Sequence, residues 1–462
     1  MTESKNIPAS SGENKMGTMP VTKLILNMSL PMMFSMLIQA LYNIVDSIFV
    51  ARLGEDALTA VSLAFPIQNL MISLAVGTGV GINSLLSLRL GQKNQKDVDR
   101  TAMNGLFLAF CNTIAFIFVG IFAIEPYLRS QTTNEAIVQY GIDYLQIVTI
   151  LGFGIFFEIT LSRLLQSTGR TIYTMVSQLV GAITNIVFDP LLIFGIGFFP
   201  ELGMKGAAYA TVLGQIFGMI VGIVCNLKKN PDINFKLKNL IPSGKIIAQI
   251  YKVGVPSILL TSVTSFTIYF VNLILGKFSS TAIAVYGIFF KLNSFVFMPV
   301  MGLNNGIVPI IAYNYGAKKR KRITNTIKSA LFMAFGIMLF GTLAFELFPK
   351  YLLLMFSASD EMLKIGIPAL RTIAPSFLGA AVAITLSSVF QAFGSAIYSM
   401  IVSFSRQLLV FLPSAYLLSL TGNVDNVWFC FLIAEVMSLS MSLFFMKRIH
   451  RKRIKPMNIS SE

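Results

Sequence analysis

Thr160-Leu161-Ser162-Arg163-Leu164-Leu165-Gln166-Ser167-Thr168-Gly169-Arg170-Thr171-Ile172-Tyr173-Thr174-Met175 recurs later in the chain as Thr385-Leu386-Ser387-Ser388-Val389-Phe390-Gln391-Ala392-Phe393-Gly394-Ser395-Ala396-Ile397-Tyr398-Ser399-Met400. The threonine, leucine, serine, glutamine, glycine, isoleucine, tyrosine and methionine keep one register, an offset of 225 residues. Pro31 finds Pro256, Gly81 finds Gly306 and Gly91 finds Gly316 at the same offset. The chain is therefore two copies of one pattern. A duplicated, strongly apolar chain predicts a two-lobed membrane transporter, because a site between two similar bundles opens to either side when one rocks against the other.

Composition supports a bilayer setting: 55% of residues are hydrophobic and 12% charged, against about a quarter charged in soluble domains. Stretches of about 20 apolar residues cross the hydrocarbon core as helices. Twelve are predicted, near 24-52, 57-88, 101-124, 136-164, 171-198, 205-227, 246-275, 281-312, 323-348, 361-391, 396-420 and 426-447. The expected fold is an all-α integral membrane protein whose twelve transmembrane helices form two six-helix lobes. Six spans is an even number, so the second copy enters from the same side as the first, and the lobes are related by a parallel pseudo-two-fold repeat. The expected divisions are an N-terminal tail over 1-23, a first lobe over 24-227, a linker over 228-245, a second lobe over 246-447 and a basic tail over 448-462.

The net charge of +16 does not point to nucleic acid, because the basic residues occupy alternate loops. Arg89, Lys93, Lys96 and Arg100 follow the second span. Lys228, Lys229, Lys236, Lys238 and Lys245 join the lobes, Lys318 to Arg322 follow the eighth span, and Lys447 to Arg453 follow the twelfth. The intervening loops are acidic or mixed, so the positive-inside rule puts both termini in the cytoplasm of a multi-pass protein of the cell membrane. The first twenty residues lack the apolar centre and cleavage site of a signal peptide, so the first span is expected to direct insertion. Cys111, Cys225 and Cys430 fall inside spans and read as packing residues. Trp428 reads as an interfacial residue, and the single histidine, His450, lies in the basic tail. With neither a His-Glu-x-x-His nor a phosphate-loop pattern, the chain reads as no enzyme and needs no cofactor.

An ionisable side chain in a span costs at least about 2.5 kcal/mol by insertion scales, so each needs a reason. The spans contain Asp46, Asp143, Glu158, Asp189, Lys291, Arg406 and Glu435. Asp46 has Val271 as its repeat mate, Glu158 has Ala383, and Asp189 before Pro190 corresponds to Leu412 before Pro413. A charge needed only to hold the repeated scaffold should recur, and these three do not. At 1.5 Å per residue, Asp46 lies roughly 10 Å below the outer end of the first span and Asp189 about 13 Å below that of the fifth. Asn185 is one helical turn from Asp189 on the same face. Carboxylates brought together in a low dielectric cannot both stay ionised, so the group binds a proton or holds a cation. The competing reading has the two aspartates capping kinked helices, with Asp46 reaching Arg52.

Glu158, Asp143 and Lys291 are possible accessories. Glu158 could instead pair with Arg163, and Asp143 could face an outer vestibule. Arg406 and Glu435 read as a buried structural pair, since an isolated charge at that depth is costly. Met28, Met32, Met33 and Met36 give the first span adaptable, polarizable side chains. Met33, Met36, Gln39, Phe153 and Phe157 are the candidate cavity-lining residues, the aromatic faces being suited to a cation.

Tyr42-Asn43-Ile44-Val45-Asp46-Ser47-Ile48-Phe49-Val50-Ala51-Arg52-Leu53-Gly54 resembles the first-span signature of the multidrug and toxic compound extrusion (MATE) family. Asn185-Ile186-Val187-Phe188-Asp189-Pro190-Leu191-Leu192-Ile193-Phe194-Gly195 resembles its fifth-span signature. Gln166 to Gly169, Gly316-Ala317 and Arg406-Gln407 fit further patterns, and Ser29-Leu30-Pro31-Met32-Met33 is similar to the bacterial drug-exporter branch. The resemblance implies an antiporter that exports amphipathic, often cationic compounds in exchange for protons, or alternatively sodium, by alternating access. It carries the first-lobe ion site onto Asp46, Asn185 and Asp189. Some branches place an essential acid on the seventh span; residues 246-275 contain no carboxylate here, which favours the first lobe. The expected partners are small amphipathic or cationic molecules and the bilayer, with no nucleic acid, and the expected unit is a monomer. The alternative is a lipid-linked oligosaccharide flippase of the same superfamily, which should show a basic cavity.

Overall fold

The computed structural model describes residues 13-236, 240-356 and 358-457. Lys238 of the expected linker, residues 1-12 of the first tail and 458-462 of the last lie outside the described residues. Among the described residues ten helices are long and apolar enough to cross a membrane, and two bent helix pairs, each counted as one span, bring the spans to twelve. In chain order, spans one to three are Val21–Ala51, Glu55–Gly91 and Gln95–Phe122. The fourth is the broken pair Glu135–Ile150 and Phe153–Ser167, followed by Thr171–Ile193 and Met204–Lys229. The second copy runs Gly244–Leu275, Ser280–Gly316, Arg320–Leu347, the broken pair Asp360–Ile373 and Ser376–Ala392, Ala396–Ser419 and Val424–Ile454.

Helix ends are marked by side chains that satisfy otherwise orphaned amides. Asn94, Asn134, Ser279, Ser359 and Asn423 accept from the first turns of the third, fourth, eighth, tenth and twelfth spans. The two breaks fall at corresponding places in the repeats for different reasons. The fourth span bends by 46° at Gly152, against which the Met71 side chain packs closely. The tenth bends by 50° beside Pro375, whose missing N–H cannot continue the ladder. Phe118, Phe122, Phe332 and Phe340 point outward, as expected of side chains that meet lipid.

The lobe interface is built from the repeated glycines. A Cβ on Gly77 would strike Ile258, and one on its repeat mate Gly302 would strike the backbone of Met33, itself the mate of Ile258. Gly91 abuts the carbonyl of Tyr313, and its mate Gly316 abuts that of Leu88, again with the roles exchanged. Reciprocal contacts of this kind are what a two-fold operator produces. They place the axis between the second and eighth spans, and with six spans in each copy both enter from the same side, so the copies are parallel. Residues 81-87 are all buried, whereas Leu58, Phe65 and Leu70 in the opposite half of the second span are exposed. The eighth span repeats this, with residues 306-314 buried and Phe290 and Phe295 exposed. The lobes are sealed at the end bearing the basic loops and part toward the other.

A segment of the N-terminal tail reinforces that seal. Asn14 Nδ2 donates to the Thr168 carbonyl of the first lobe at 3.1 Å, while Asn314 Nδ2 of the second donates to the Met16 carbonyl at 2.9 Å. Arg322 donates to the Met16 and Met19 carbonyls, Lys319 to that of Gly17, and the Met16 side chain is fully buried. Asn314→Ala removes the buried bond to the Met16 carbonyl, worth about 1 kcal/mol to the tail's docking, together with the bonds Asn314 makes to the Ile310 carbonyl and to Arg322. Limited proteolysis should then cut between Glu13 and Val21 about fivefold faster than in the parent.

Trp428 differs from its expected place. It is 1% exposed, packed inside the turn between the last two spans, because the short helix Val424–Val427 folds it inward.

Candidate ion site in the first lobe

Asp46 projects from the first span and Asp189 from the fifth, one residue ahead of the Pro190 kink. Their carboxyl groups meet across the interface of the two helices, close enough to share a proton. Asp189 is fully buried and Asn185 is 2% exposed, whereas Asp46 is half-buried. Asn185 Nδ2 lies 3.4 Å from Asp189 Oδ1 and 3.5 Å from Thr211 Oγ1 of the sixth span. Asp46 Oδ1, Asp189 Oδ2 and Asn185 Oδ1 are buried without a protein hydrogen-bond partner. Three acceptor oxygens left open in one place are costly unless a proton or cation occupies the gap.

Around this centre lies a polar shell that the sequence reading missed. Tyr42 is one turn before Asp46, on the same side of the first span, and its hydroxyl feels both aspartates and Glu158. Gln68 Nε2 of the second span donates to the Tyr144 hydroxyl at 2.9 Å. Tyr144 is 3% exposed and faces the group, whereas its neighbour Asp143 turns away from it. One residue is a rotation of about 100° on a helix, which decides between the chamber and the rim.

The remaining expected residues divide. Asp143 accepts from Gln139 at 2.8 Å and pairs with Lys205 at 3.6 Å, away from the shared site. Glu158 accepts from Ser162 at 3.1 Å and stands beside the Tyr42 edge of the chamber. Its suggested partner Arg163 turns instead to Gln166 and, across the lobe boundary, to Asn305. Lys291 is exposed on the eighth span, with its ammonium 6.0 Å from the centre of the Phe356 ring, so it counters no first-lobe carboxylate. Arg52 lies over Phe49 at 5.9 Å, so the reading in which Asp46 reaches Arg52 is replaced by a cation–ring contact. Of the candidate lining residues, Met33 packs on Gly302 at the lobe interface and Phe157 packs on the first-lobe core. Met36 and Phe153 are half-buried and Gln39 is exposed.

In the second lobe Arg406 Nη1 donates to Glu435 Oε2 at 2.9 Å. The pair stands on the wall of an internal cavity of about 360 Å³, a feature the sequence reading did not include. The polar residues at four-residue spacing, Ser399, Ser403 and Gln407, were the available signal.

Twelve spans in two lobes, with an unsymmetrical acidic centre in one of them, define a membrane transporter. The sequence profile of the MatE family matches residues 31-191 and 256-417, one copy per lobe, and the chain belongs to that family. It is 25% identical over 417 residues to the multidrug export protein MepA of Staphylococcus aureus strain MSSA476, covering 90% of this chain and 91% of the relative. The MepA of Staphylococcus haemolyticus is 25% identical over 436 residues, covering 94% of each chain. Among solved structures, a MATE protein in complex with MaL6 superposes with a TM-score of 0.89 at 26% identity, over 96% of this chain and 100% of that one. A multidrug resistance MATE family transporter in an outward-facing conformation also gives 0.89 at 26% identity, over 96% of this chain and 99% of that one.

Proposed function

We propose that the protein is a multidrug efflux antiporter that exports amphipathic, often cationic compounds in exchange for protons, with Asp46, Asp189 and Asn185 as the coupling site. The observation that carries this reading is the meeting of two carboxyls whose open oxygens lack any protein donor. A shared proton satisfies such a pair; a bare double negative charge does not. With both termini and the basic loops in the cytoplasm, the lobes are sealed inward and parted outward. A second proton then reaches Asp46 and Asp189 from outside, neutralises the pair and weakens its hold on a cationic compound, which leaves. Closure of the outer side and opening of the inner one release that proton and restore the single negative charge. The acidic character of the chamber is the opposite of what a pyrophosphate-bearing lipid would need, and this favours drug export over the flippase alternative. A single chain holds both lobes, so the monomer is the transporting unit.

The test uses everted membrane vesicles loaded by respiration and a cationic dye. Collapsing the proton gradient should stop dye accumulation, while collapsing the sodium gradient should leave it unchanged. The reverse pattern would transfer the site to sodium.

A further inference from the structure

The Arg406 and Glu435 pair uses little of its hydrogen-bonding capacity. One of five guanidinium donors meets one of two carboxylate oxygens. Glu435 is 5% exposed, yet its Oε1 is buried without a partner. A carboxylate oxygen in that position carries the cost of desolvation with no return. The Arg406 side chain is 34% exposed although it sits mid-span, and what it faces is the second-lobe cavity.

The backbone that carries it is unusual. Ser405–Phe411 is a π-helical turn, closed by the Leu412 N–H donating to the Gln407 carbonyl, just ahead of Pro413. Widened turns of this kind gather at functional sites. Gln407 is held by Thr267 at 2.9 Å and by its own bond to Ser403 at 3.0 Å, so the widened turn is braced from two sides. The Glu435 stem packs directly on Gly379, where any Cβ would collide with it.

Beside the pair the cavity is aromatic. Phe431 meets Phe289 edge-to-face with centroids 5.3 Å apart and Phe411 at 4.7 Å. The volume of about 360 Å³ is in the range of small-molecule sites. Arginine and glutamate cancel, so a bare cation would meet Arg406 and a bare anion Glu435. What answers both is a flat, net-neutral molecule with an N–H beside a C=O. Its carbonyl accepts from a free Arg406 N–H, its N–H donates to Glu435 Oε1, and its ring rests on the phenylalanines.

We infer that the second-lobe cavity is a ligand site distinct from the ion site, selective for neutral aromatic compounds with a cis-amide edge. The inference does not rest on proton coupling, because it concerns equilibrium binding to the full-length protein.

The test measures binding of 2-quinolinone and N-methyl-2-quinolinone to the protein in lipid nanodiscs by equilibrium dialysis. 2-Quinolinone should bind saturably and at least tenfold more tightly than the N-methyl compound, which lacks the donor. The double variant R406M/E435L replaces both charges with apolar groups of similar size, a change that buried pairs tolerate. It should lose at least tenfold in affinity, while the double variant D46N/D189N should bind as the parent does. Equal affinity for the two compounds in the parent overturns the proposal whatever the variants do, as does undiminished binding by R406M/E435L. Loss of binding in D46N/D189N would place the ligand in the first lobe instead.

Discussion

Asp189→Asn is expected to insert and fold normally and to export nothing against a gradient. Asparagine has the shape of aspartate, but it cannot take up or release a proton. Its amide would stand beside Asn185, which lies 3.4 Å from the native carboxylate. Asp46→Asn should give the same outcome, because a pair that shares one proton fails when either member is lost. The double variant should be no worse than either single one, since residues acting as a unit are far from additive. A moving charge is worth about 2.3 kcal/mol per 100 mV, or roughly a 50-fold concentration ratio. That ratio is what should vanish in dye accumulation by everted vesicles, with the amount of protein in the membrane unchanged. Parental accumulation by either single variant would remove the coupling site from the first lobe.

The second large effect concerns the seal between lobes. Gly91→Val places a branched side chain against the Tyr313 carbonyl, and Gly316→Val does the same against that of Leu88. Neither contact is with the flexible end of a side chain, so neither can move aside without shifting a helix. Overpacking of this kind typically costs 1–3 kcal/mol, which moves a two-state equilibrium by about 5- to 150-fold. Because the sealed state alone is penalised, both variants should populate the inward-open form and transport slowly. Distances between spin labels on the second and eighth spans at the basic end should lengthen in both. If the labels report the parent's distance, the glycines serve ordinary packing and not the gate.

These expectations trace to different levels of information. The register of the two copies was legible from spacing alone, because a duplicated membrane bundle keeps its prolines and close-packing glycines in step. The asymmetry of Asp46, Glu158 and Asp189 against Val271, Ala383 and Leu412 was legible for a related reason: charge in a bilayer is too costly to keep in one copy without use. Helical rise was enough to bring the two aspartates to one level. It was not enough to separate Tyr144 from Asp143, where a single residue's rotation decides which side chain enters the chamber.

The sequence by itself determined the membrane setting, the twelve apolar spans, the parallel two-lobed plan and the unmatched aspartates, since all four follow from periodicity, hydrophobicity and the comparison of one half with the other. Only the tertiary structure decided which end is sealed, that Arg163 reaches Asn305 across the lobes, that Trp428 turns inward, and that Arg406 and Glu435 border a cavity. Each of those depends on how helices rotate about their axes and which faces they turn to one another. That rotation is set by packing summed over many weak contacts between distant spans, and no local pattern of residues encodes it.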